Sequence, residues 1–209
     1  MELLKNLKWR YATKKFDTTK KVSHQDLDKI KEAVQLSVSS YGLQLYKVLI
    51  IENGQIREQL KPVSWNQSQI TDASHLFVFC NYTDASSKTI NDFIKHTAKT
   101  RNLDLERLYG YGDFIKSKLA EKSPDETTSW LKSQTYLALG NLLNACAELR
   151  IDACPMEGFE PEAYNNILGL HQQGLNAAVI APIGYRHCDD HTIGQQKVRK
   201  PMELLFETI

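Results

Sequence analysis

The chain lacks the sequence features that mark several broad classes of protein. None of its apolar runs approaches the roughly 18 residues by which a membrane-spanning helix is recognised, and it has no internal repeat or low-complexity segment. The N-terminal region carries Lys5, Lys8 and Arg10 where a secretory signal needs an apolar stretch. We therefore expect a cytoplasmic protein with no membrane partner, folded as a single domain over residues 1–209.

Cysteine is scarce and is not spaced for a metal site. The four cysteines form no C-x-x-C pair and do not combine with histidine at zinc-ligand spacing. Cys80 and Cys146 lie in apolar runs, where a free thiol usually packs as a small hydrophobe. The six histidines are expected to be structural rather than metal ligands. These patterns predict a reducing compartment and no bound metal.

A large excess of charge of either sign is also absent. The formal net charge is +1, from 26 basic and 25 acidic residues, so a general attraction to nucleic acid is not expected. The two common phosphate loops, G-x-G-x-x-G and G-x-x-x-x-G-K-[ST], do not occur. Charge is nevertheless uneven, because residues 1–21 contain seven lysines and arginines and only two acidic residues. A small anion is therefore a better candidate ligand than a nucleic acid.

Two short basic segments stand near opposite ends of the chain. Residues 9–15 read Trp-Arg-Tyr-Ala-Thr-Lys-Lys, and residues 196–201 read Gln-Lys-Val-Arg-Lys-Pro. Cations at near-alternating positions can share one side of an extended segment. Arginine supplies a planar fork and lysine a point charge, which together suit a multiply charged anion. Taken alone, such segments are more commonly solvated surface, but segments that meet in the fold would form a phosphate clamp.

Hydrophobic periodicity predicts an α+β fold rather than a doubly wound dinucleotide fold. Residues 54–72 favour a short helix, residues 83–126 one or two surface helices, and the apolar tail 201–209 favours packing on a partner subunit. The expected helices cover 1–9, 23 to about 37, 127–150 and 162–168, and the expected strands cover 46–52, 74–81 and 175–183. Ser23, with Asp26 three residues on, is the expected cap of the second helix, and the continuous apolar run at 74–81 is typical of a buried strand.

The segment 127–150 has apolar residues on nearly all sides. A helix of this kind is buried in a large core or at a subunit interface. Gly140 in its middle costs about 1 kcal/mol relative to alanine, which favours a site of close helix packing.

Several short motifs occur in order along the chain. They are Arg10-Tyr11-Ala12-Thr13-Lys14 with Phe16-Asp17, Ser39-Ser40 with Gln44, Asn66, Asp72-Ala73-Ser74-His75, Pro155-Met156-Glu157-Gly158-Phe159 and Lys197-Val198-Arg199. Together they resemble the FMN-dependent nitroreductases, most closely the oxygen-insensitive NAD(P)H nitroreductase and dihydropteridine reductase branch. The resemblance implies an α+β sandwich with a central, mainly antiparallel sheet flanked by helices, and an interlocked homodimer with FMN sites at the interface.

The resemblance assigns a cofactor role to residues in all of these motifs except Asp72-Ala73-Ser74-His75. Arg10, Lys197 and Arg199 match the phosphate ligands of the family, and Lys14 matches a lysine beside the pyrimidine edge of the flavin. Glu157 and Gly158 match the segment whose backbone approaches flavin N5, where a missing Cβ allows close approach. The remaining cofactor-binding matches are Tyr11, Ala12, Thr13, Ser39 and Ser40 (offered by the other subunit), Asn66 and Val198.

Three residues are implied to contact the substrate: Lys14, Gln69 and Phe114. Gln69 stands where close relatives carry a lysine. Phe114 belongs with Tyr109 and Tyr111 to an aromatic group that is either a lid over the flavin or ordinary surface packing. No catalytic side chain is expected, because the flavin carries the chemistry. Without the resemblance, residues 157–158 are an ordinary turn, Asn66 a loop amide and residues 39–40 the end of a helix.

The implied activity is hydride transfer from NADH or NADPH to flat electron-poor acceptors by a ping-pong mechanism. Nitroaromatics and quinones are the expected acceptors, with dihydropteridines as a further candidate. Two alternatives stay open: an oxygen-using or dehalogenating flavin enzyme of the same fold, and a flavin-binding module without catalytic activity.

Overall fold

The computed structural model describes all residues, 1–209, and contains one four-stranded sheet in the order β1-β2-β4-β3. Every neighbouring pair of strands is antiparallel, which confirms the predicted sheet type. The strands are β1 (Tyr46–Ile51), β2 (His75–Tyr82), β3 (Asp152–Ala153) and β4 (Leu175–Gly184).

Helices cover both faces of this sheet. The α-helices are α1 (Glu2–Trp9), α2 (His24–Gln35), α3 (Gly54–Leu60), α4 (Gln69–Asp72), α5 (Ser87–Arg101), α6 (Tyr109–Ala120), α7 (Pro124–Glu148), α8 (Pro161–Ile167) and α9 (Met202–Leu205). Short 3-10 turns occupy Ser40–Gly42, Pro62–Ser64, Leu105–Leu108 and His171–Gln173.

Strand β2 shows why the sheet is buried on both faces. Its side chains alternate between two cores, since Leu76 and Val78 pack with one set of helices while Phe77 and Phe79 pack with the other. This placement explains the continuous apolar run that predicted a buried strand. The architecture is the α+β sandwich that the sequence predicts.

Helix α7 begins three residues earlier than the periodicity predicted. Ser123 and Glu126 form a capping box, and Pro124 occupies the first turn, where its missing N–H costs nothing. The predicted start at residue 127 was wrong because it followed the apolar residues and ignored this capping signal. The predicted cap of α2 is confirmed, since the Ser23 hydroxyl accepts a hydrogen bond from the Asp26 amide.

The expected close packing at Gly140 does not occur within the chain. A Cβ built on this glycine would meet no atom within 4 Å. Leu139 and Leu142 are buried, whereas Leu137 is exposed, so one face of α7 has no cover from the rest of the chain. Burial of that face by a partner subunit stays a prediction, as does the packing of the exposed tail residues 201–209.

Helices α5 and α6 build a third, smaller core away from the sheet. Ile90, Ile94 and Ile115 pack there with Leu43 and Leu45, which lead into β1. No helix of the chain combines the length and the apolar character that crossing a lipid bilayer requires.

Candidate functional site

The two basic segments, predicted to form a clamp only if they meet, lie side by side. The Lys197 ammonium donates a hydrogen bond to the carbonyl oxygen of Arg10. Both segments border one cavity of about 380 Å³. The cavity is lined by Arg10, Tyr11, Ala12, Lys14, Pro155, Thr192, Gln195, Gln196, Lys197 and Arg199.

The cations in this cavity have no carboxylate partners. Lys15 and Arg186 nearby do form ion pairs, with Asp189 and Asp152 respectively. Burial, and then the charge of Arg199, lower the pKa of Arg10 below its ordinary value. Burial followed by the charge of Arg10 lowers the pKa of Lys197 as well. Like charges held together in this way favour a bound anion.

The backbone explains how the first basic segment reaches the cavity. Arg10 ends α1 in an extended conformation, and Ala12 forms a parallel bridge with Ala153 in β3. The near-alternation of Arg10, Ala12 and Lys14 therefore places all three on the cavity side. Thr13 points the other way and is fully buried, with its hydroxyl 3.4 Å from the Asp152 carboxylate. The predicted cofactor role of the Thr13 side chain has no cavity surface to support it.

Val198 does not line the cavity either. Its side chain is 89% exposed, and its carbonyl oxygen accepts a 2.7 Å hydrogen bond from the Arg199 guanidinium. Any contact with a ligand in the cavity would have to come from the backbone of Val198.

Arg186 supports the floor of this region and was missed by sequence reasoning. Its guanidinium lies between the rings of Trp9 and Tyr11, with its central carbon 4.4 Å and 4.5 Å from the two ring centres. Asp152 accepts a hydrogen bond from the Arg186 backbone amide at 2.8 Å and another from its side chain at 2.8 Å. The stack fixes the aromatic residues that flank Arg10.

Asp190 is a second residue that sequence reasoning missed. It is buried, and its carboxylate accepts hydrogen bonds from the backbone amides of Lys14 at 2.8 Å and Lys15 at 3.2 Å. The Tyr11 hydroxyl lies 3.3 Å away and the Thr192 hydroxyl 2.6 Å away. Burial alone would raise the pKa of Asp190, but these hydrogen bonds outweigh it and lower the pKa to about 2.

A second cavity of about 450 Å³ adjoins the first, because Pro155 lines both. Glu157 belongs to it, and its carboxylate accepts a hydrogen bond from the Tyr136 hydroxyl on α7. Burial, followed by this hydrogen bond, raises the pKa of Tyr136 to about 12. The phenol is therefore protonated at neutral pH. The exposed face of α7 at Gly140 forms one wall of this cavity.

Gly158 lies against Trp65 and Gln67, the two residues on either side of Asn66 in the sequence. A Cβ on Gly158 would lie 2.8 Å from the Trp65 ring, and the Gln67 amide donates a 3.0 Å hydrogen bond to the Gly158 carbonyl. Trp65 and Asn66 are both in the left-handed region, with φ of 56° and 55°. In this chain the missing Cβ of Gly158 makes room for Trp65, and the approach of this backbone to a flavin stays a prediction.

Gln69, the predicted substrate residue at the start of α4, is buried. Its side chain lies beside Cys154, whose thiol has a pKa raised mainly by burial. Gln69 lines none of the cavities described above, so direct contact with a substrate is not supported by its position.

Ser39 and Ser40 lie against the middle of α7, and Phe114 lies beside them on Tyr41. The Ser40 amide donates a 2.8 Å hydrogen bond to the Gln134 side chain, and Phe114 packs edge-on against Tyr41 with ring centres 6.4 Å apart. The clamp borders the C-terminal part of this helix. Burial raises the pKa of the Cys146 thiol there, and the nearby charge of Arg10 acts to lower it.

Gln134 and Cys146 are twelve residues apart, which is about 18 Å along a helix. The predicted site residues of one chain therefore form two separate groups. The expectation that residues 39–40 serve the flavin of the other subunit is compatible with this separation and stays a prediction.

Comparisons with known proteins agree with the fold. The model of the "Nitroreductase family" matches residues 7–185. The chain is 35% identical over 196 residues to YfkO of Bacillus subtilis (strain 168), covering 88% of this chain and 89% of that protein. It is 33% identical over 211 residues to the major NAD(P)H-flavin oxidoreductase of Aliivibrio fischeri, covering 96% and 95%.

Two solved structures share the architecture. A nitroreductase-like protein of Streptococcus mutans superposes with a TM-score of 0.88 at 20% identity, over 100% of this chain and 98% of that one. A protein of Exiguobacterium sibiricum 255-15 in complex with FMN superposes with a TM-score of 0.84 at 19% identity, over 100% and 96%. The family model covers most of the sequence, and both structures share the fold. The chain therefore belongs to the nitroreductase family.

Proposed function

We propose that this protein is an FMN-dependent oxidoreductase that transfers hydride from NADH or NADPH to flat electron-poor acceptors. The observation that carries the proposal is the meeting of Arg10, Lys197 and Arg199 at one cavity without a carboxylate partner. The flavin oxidoreductase of Aliivibrio fischeri and the FMN complex of the Exiguobacterium sibiricum protein support the choice of cofactor.

The residues present fit a flavin mononucleotide. Three cations grouped at one cavity are suited to a phosphate dianion. Burial and then neighbouring positive charge lower the pKa of Arg10 and of Lys197. Lys14 is on the same wall of the cavity and has no carboxylate partner, so its ammonium is free to face the pyrimidine edge of the ring. Pro155 continues the surface into the second cavity, which is mainly apolar and suits a flat aromatic ring.

The bound flavin would supply the hydride chemistry. The side chains of this protein would bind the flavin, orient it and set the charge around it. A positive charge at Lys14 stabilises negative charge that develops on the ring, and it does so most strongly where water is excluded. Tyr136 holds the Glu157 carboxylate in one orientation through its hydroxyl, so the position of this negative charge in the second cavity is defined.

We also propose that the working form is a homodimer. One chain carries the clamp near the C-terminal part of α7 and the Ser39–Ser40 segment near the middle of this helix, which leaves each group half of a site. The uncovered face of α7 and the exposed apolar tail offer the surface for a partner. A second copy would then bring residues 39–40 to the clamp of the first.

The acceptor and the kinetic order follow from the geometry of a stacking slot. Nicotinamide and acceptor would occupy the same flavin face in turn, which gives ping-pong kinetics. A slot of this kind selects for flatness and electron affinity, so nitroaromatics, quinones and dihydropteridines are the proposed acceptors. The reaction takes place in the cytoplasm, where nicotinamide nucleotides are available.

An anaerobic stopped-flow experiment tests this proposal. The FMN-loaded protein is mixed with NADH or NADPH, and bleaching of the flavin is followed. The reduced protein is then mixed with a nitroaromatic, a quinone, a dihydropteridine or oxygen. We expect bleaching by a nicotinamide nucleotide and rapid reoxidation without oxygen. Reoxidation by oxygen alone would favour an oxygen-using flavin enzyme, and a flavin that is never bleached would favour a non-catalytic binding module.

A further inference from the structure

The carboxylate of Asp190 joins the first basic segment of the clamp to the loop at Thr192, which leads into the second basic segment. Its donors from the N-terminal side are the Tyr11 hydroxyl and the amides of Lys14 and Lys15. Its donors from the C-terminal side are the amide and the hydroxyl of Thr192, at 2.9 Å and 2.6 Å. Three of the residues that it holds, Tyr11, Lys14 and Thr192, line the clamp cavity.

We infer that Asp190 is a positioning residue, which sets the register of the two basic segments and thereby makes the cavity selective for a phosphate group. The inference rests on the proposed FMN site. Asp190 itself does not line the cavity. Its effect on a ligand is therefore transmitted through the backbone of residues 14–15 and through Thr192.

Only an ionised carboxylate satisfies this set of donors. A carboxylate is an acceptor at both oxygens, with room for about four hydrogen bonds, whereas an asparagine amide turns one side into a donor. In Asp190→Asn the new N–H groups would face other N–H or O–H donors. One oxygen of Asp190 serves Lys14 and Lys15, and the other serves Thr192. In either orientation the new N–H groups face backbone amides that cannot accept a hydrogen bond, either those of Lys14 and Lys15 in the first basic segment or that of Thr192 in the loop before the second.

Loss of the negative charge of Asp190 and loss of its positioning role predict opposite changes in the affinity for FMN. An aspartate near a phosphate site repels the phosphate, so its neutralisation alone would tighten FMN binding. Loss of the register would instead weaken FMN binding, because Arg10, Lys14, Lys197 and Arg199 would no longer converge. The direction of the change in affinity therefore separates the two roles.

Asp189 provides a matched control. It is exposed, it follows Cys188 immediately before Asp190, and its carboxylate pairs only with the Lys15 ammonium and with groups of its own loop. Asp189→Asn removes the same unit of negative charge from almost the same place. It leaves the amides of Lys14 and Lys15 bonded to Asp190.

The experiment measures the affinities of flavin-free full-length protein for FMN and for riboflavin by fluorescence titration. We expect Asp190→Asn to reduce the preference for FMN over riboflavin at least tenfold, and Asp189→Asn to leave it within twofold. Riboflavin lacks the phosphate, so its affinity reports the general integrity of the flavin pocket. Equal or tighter FMN binding by Asp190→Asn would overturn the inference. A wild-type protein that binds neither flavin would instead contradict the proposed function.

A second measurement does not depend on flavin. Hydrogen exchange in the flavin-free protein is expected to show that the amides of Lys14 and Lys15 are protected, and that Asp190→Asn exposes them while Asp189→Asn does not. If Asp190→Asn fails to fold, Thr192→Ala removes one donor and leaves the carboxylate in place. It is expected to reduce the FMN preference about threefold to tenfold. Unchanged exchange and unchanged FMN preference in the folded variants would overturn the inference.

Discussion

Lys197 and Arg10 are 187 positions apart in sequence, yet the Lys197 ammonium donates a hydrogen bond to the Arg10 carbonyl oxygen. The bond places two cations next to each other. Burial lowers the pKa of both, and a neighbouring positive charge lowers it further: Arg199 for Arg10, and Arg10 for Lys197. An arrangement that holds cations together without a carboxylate is stabilised when a polyvalent anion binds. The contact is therefore better explained by a ligand than by the stability of the empty fold.

The fall in the free energy of unfolding at low pH should depend on Asp190. Its pKa in the folded protein is about 2, against an ordinary value of 3.8. Because folding lowers this pKa, the ionised carboxylate stabilises the fold above pH 3.8, and the contribution is lost as the pH falls through 2. The gap between the two values corresponds to about 2 kcal/mol.

Urea unfolding of the wild type and of Asp190→Asn between pH 2 and pH 5 measures this contribution. The difference in free energy of unfolding between the two proteins should shrink by about 2 kcal/mol from pH 5 to pH 2. A difference that is the same at both ends of the range would refute the prediction.

The contact between Gly158 and Trp65 predicts a coupled pair of substitutions. Gly158→Ala places a methyl group 2.8 Å from the Trp65 ring, and overpacking of this kind costs about 1–3 kcal/mol. The Trp65 side chain is 71% exposed, so it can move away, and its fluorescence should shift. In a Trp65→Ala background, Gly158→Ala should cost less than half as much. A thermal or urea double-mutant cycle checks this, and additive effects would contradict the contact.

Gln69→Lys should make the bound flavin easier to reduce. A positive charge even about 12 Å away contributes about 1.4 kcal/mol at an effective dielectric constant of about 20, which is about 30 mV for a two-electron couple. Gln69 is buried beside Cys154, so the substitution should also lower the free energy of unfolding. Potentiometric titration measures the first effect and urea unfolding the second. Gln69→Met is the uncharged control, and an equal midpoint potential in the lysine and methionine variants would speak against the prediction.

The exposed apolar tail should stabilise the homodimer. Leu204 and Phe206 are 72% and 64% exposed within one chain. Replacing both with serine should shift the protein toward monomer in sedimentation velocity at micromolar concentration, because the apolar surface available to a partner is reduced. Leu103→Ser replaces another partly exposed leucine, on the loop after α5, and should leave the sedimentation of the protein unchanged. A wild type that sediments as a monomer would contradict the proposed assembly.

The periodic parts of the fold were predictable from sequence because each side chain carries part of the signal. The continuous apolar run of β2 and the capping serine of α2 are local patterns, and both predictions are confirmed. The start of α7 was also encoded locally, in Ser123 and Glu126, but a prediction that followed apolar residues alone overlooked it.

The site was less predictable because its contacts join distant positions. Asp190 is one aspartate in a polar loop, and nothing near it in sequence indicates that residues 11–15 donate to it. The Trp65–Gly158 contact likewise crosses the fold. The two basic segments were visible as charge, but their meeting was expected only through the resemblance to a family. Tertiary structure then supplied Arg186 and Asp190, which support the clamp.

The central claim is that the two ends of the chain form a clamp for the phosphate of FMN. The most direct test compares the affinities for FMN and riboflavin of the wild type, of the Arg10→Ala/Arg199→Ala double variant and of Lys200→Ala, a control at an exposed lysine. Hydrogen bonds to charged groups contribute about 1.5–3 kcal/mol each, so the wild type should prefer FMN at least 100-fold. The double variant should lose most of that preference, and Lys200→Ala should retain it. Equal affinity of the wild type for FMN and riboflavin would contradict the clamp.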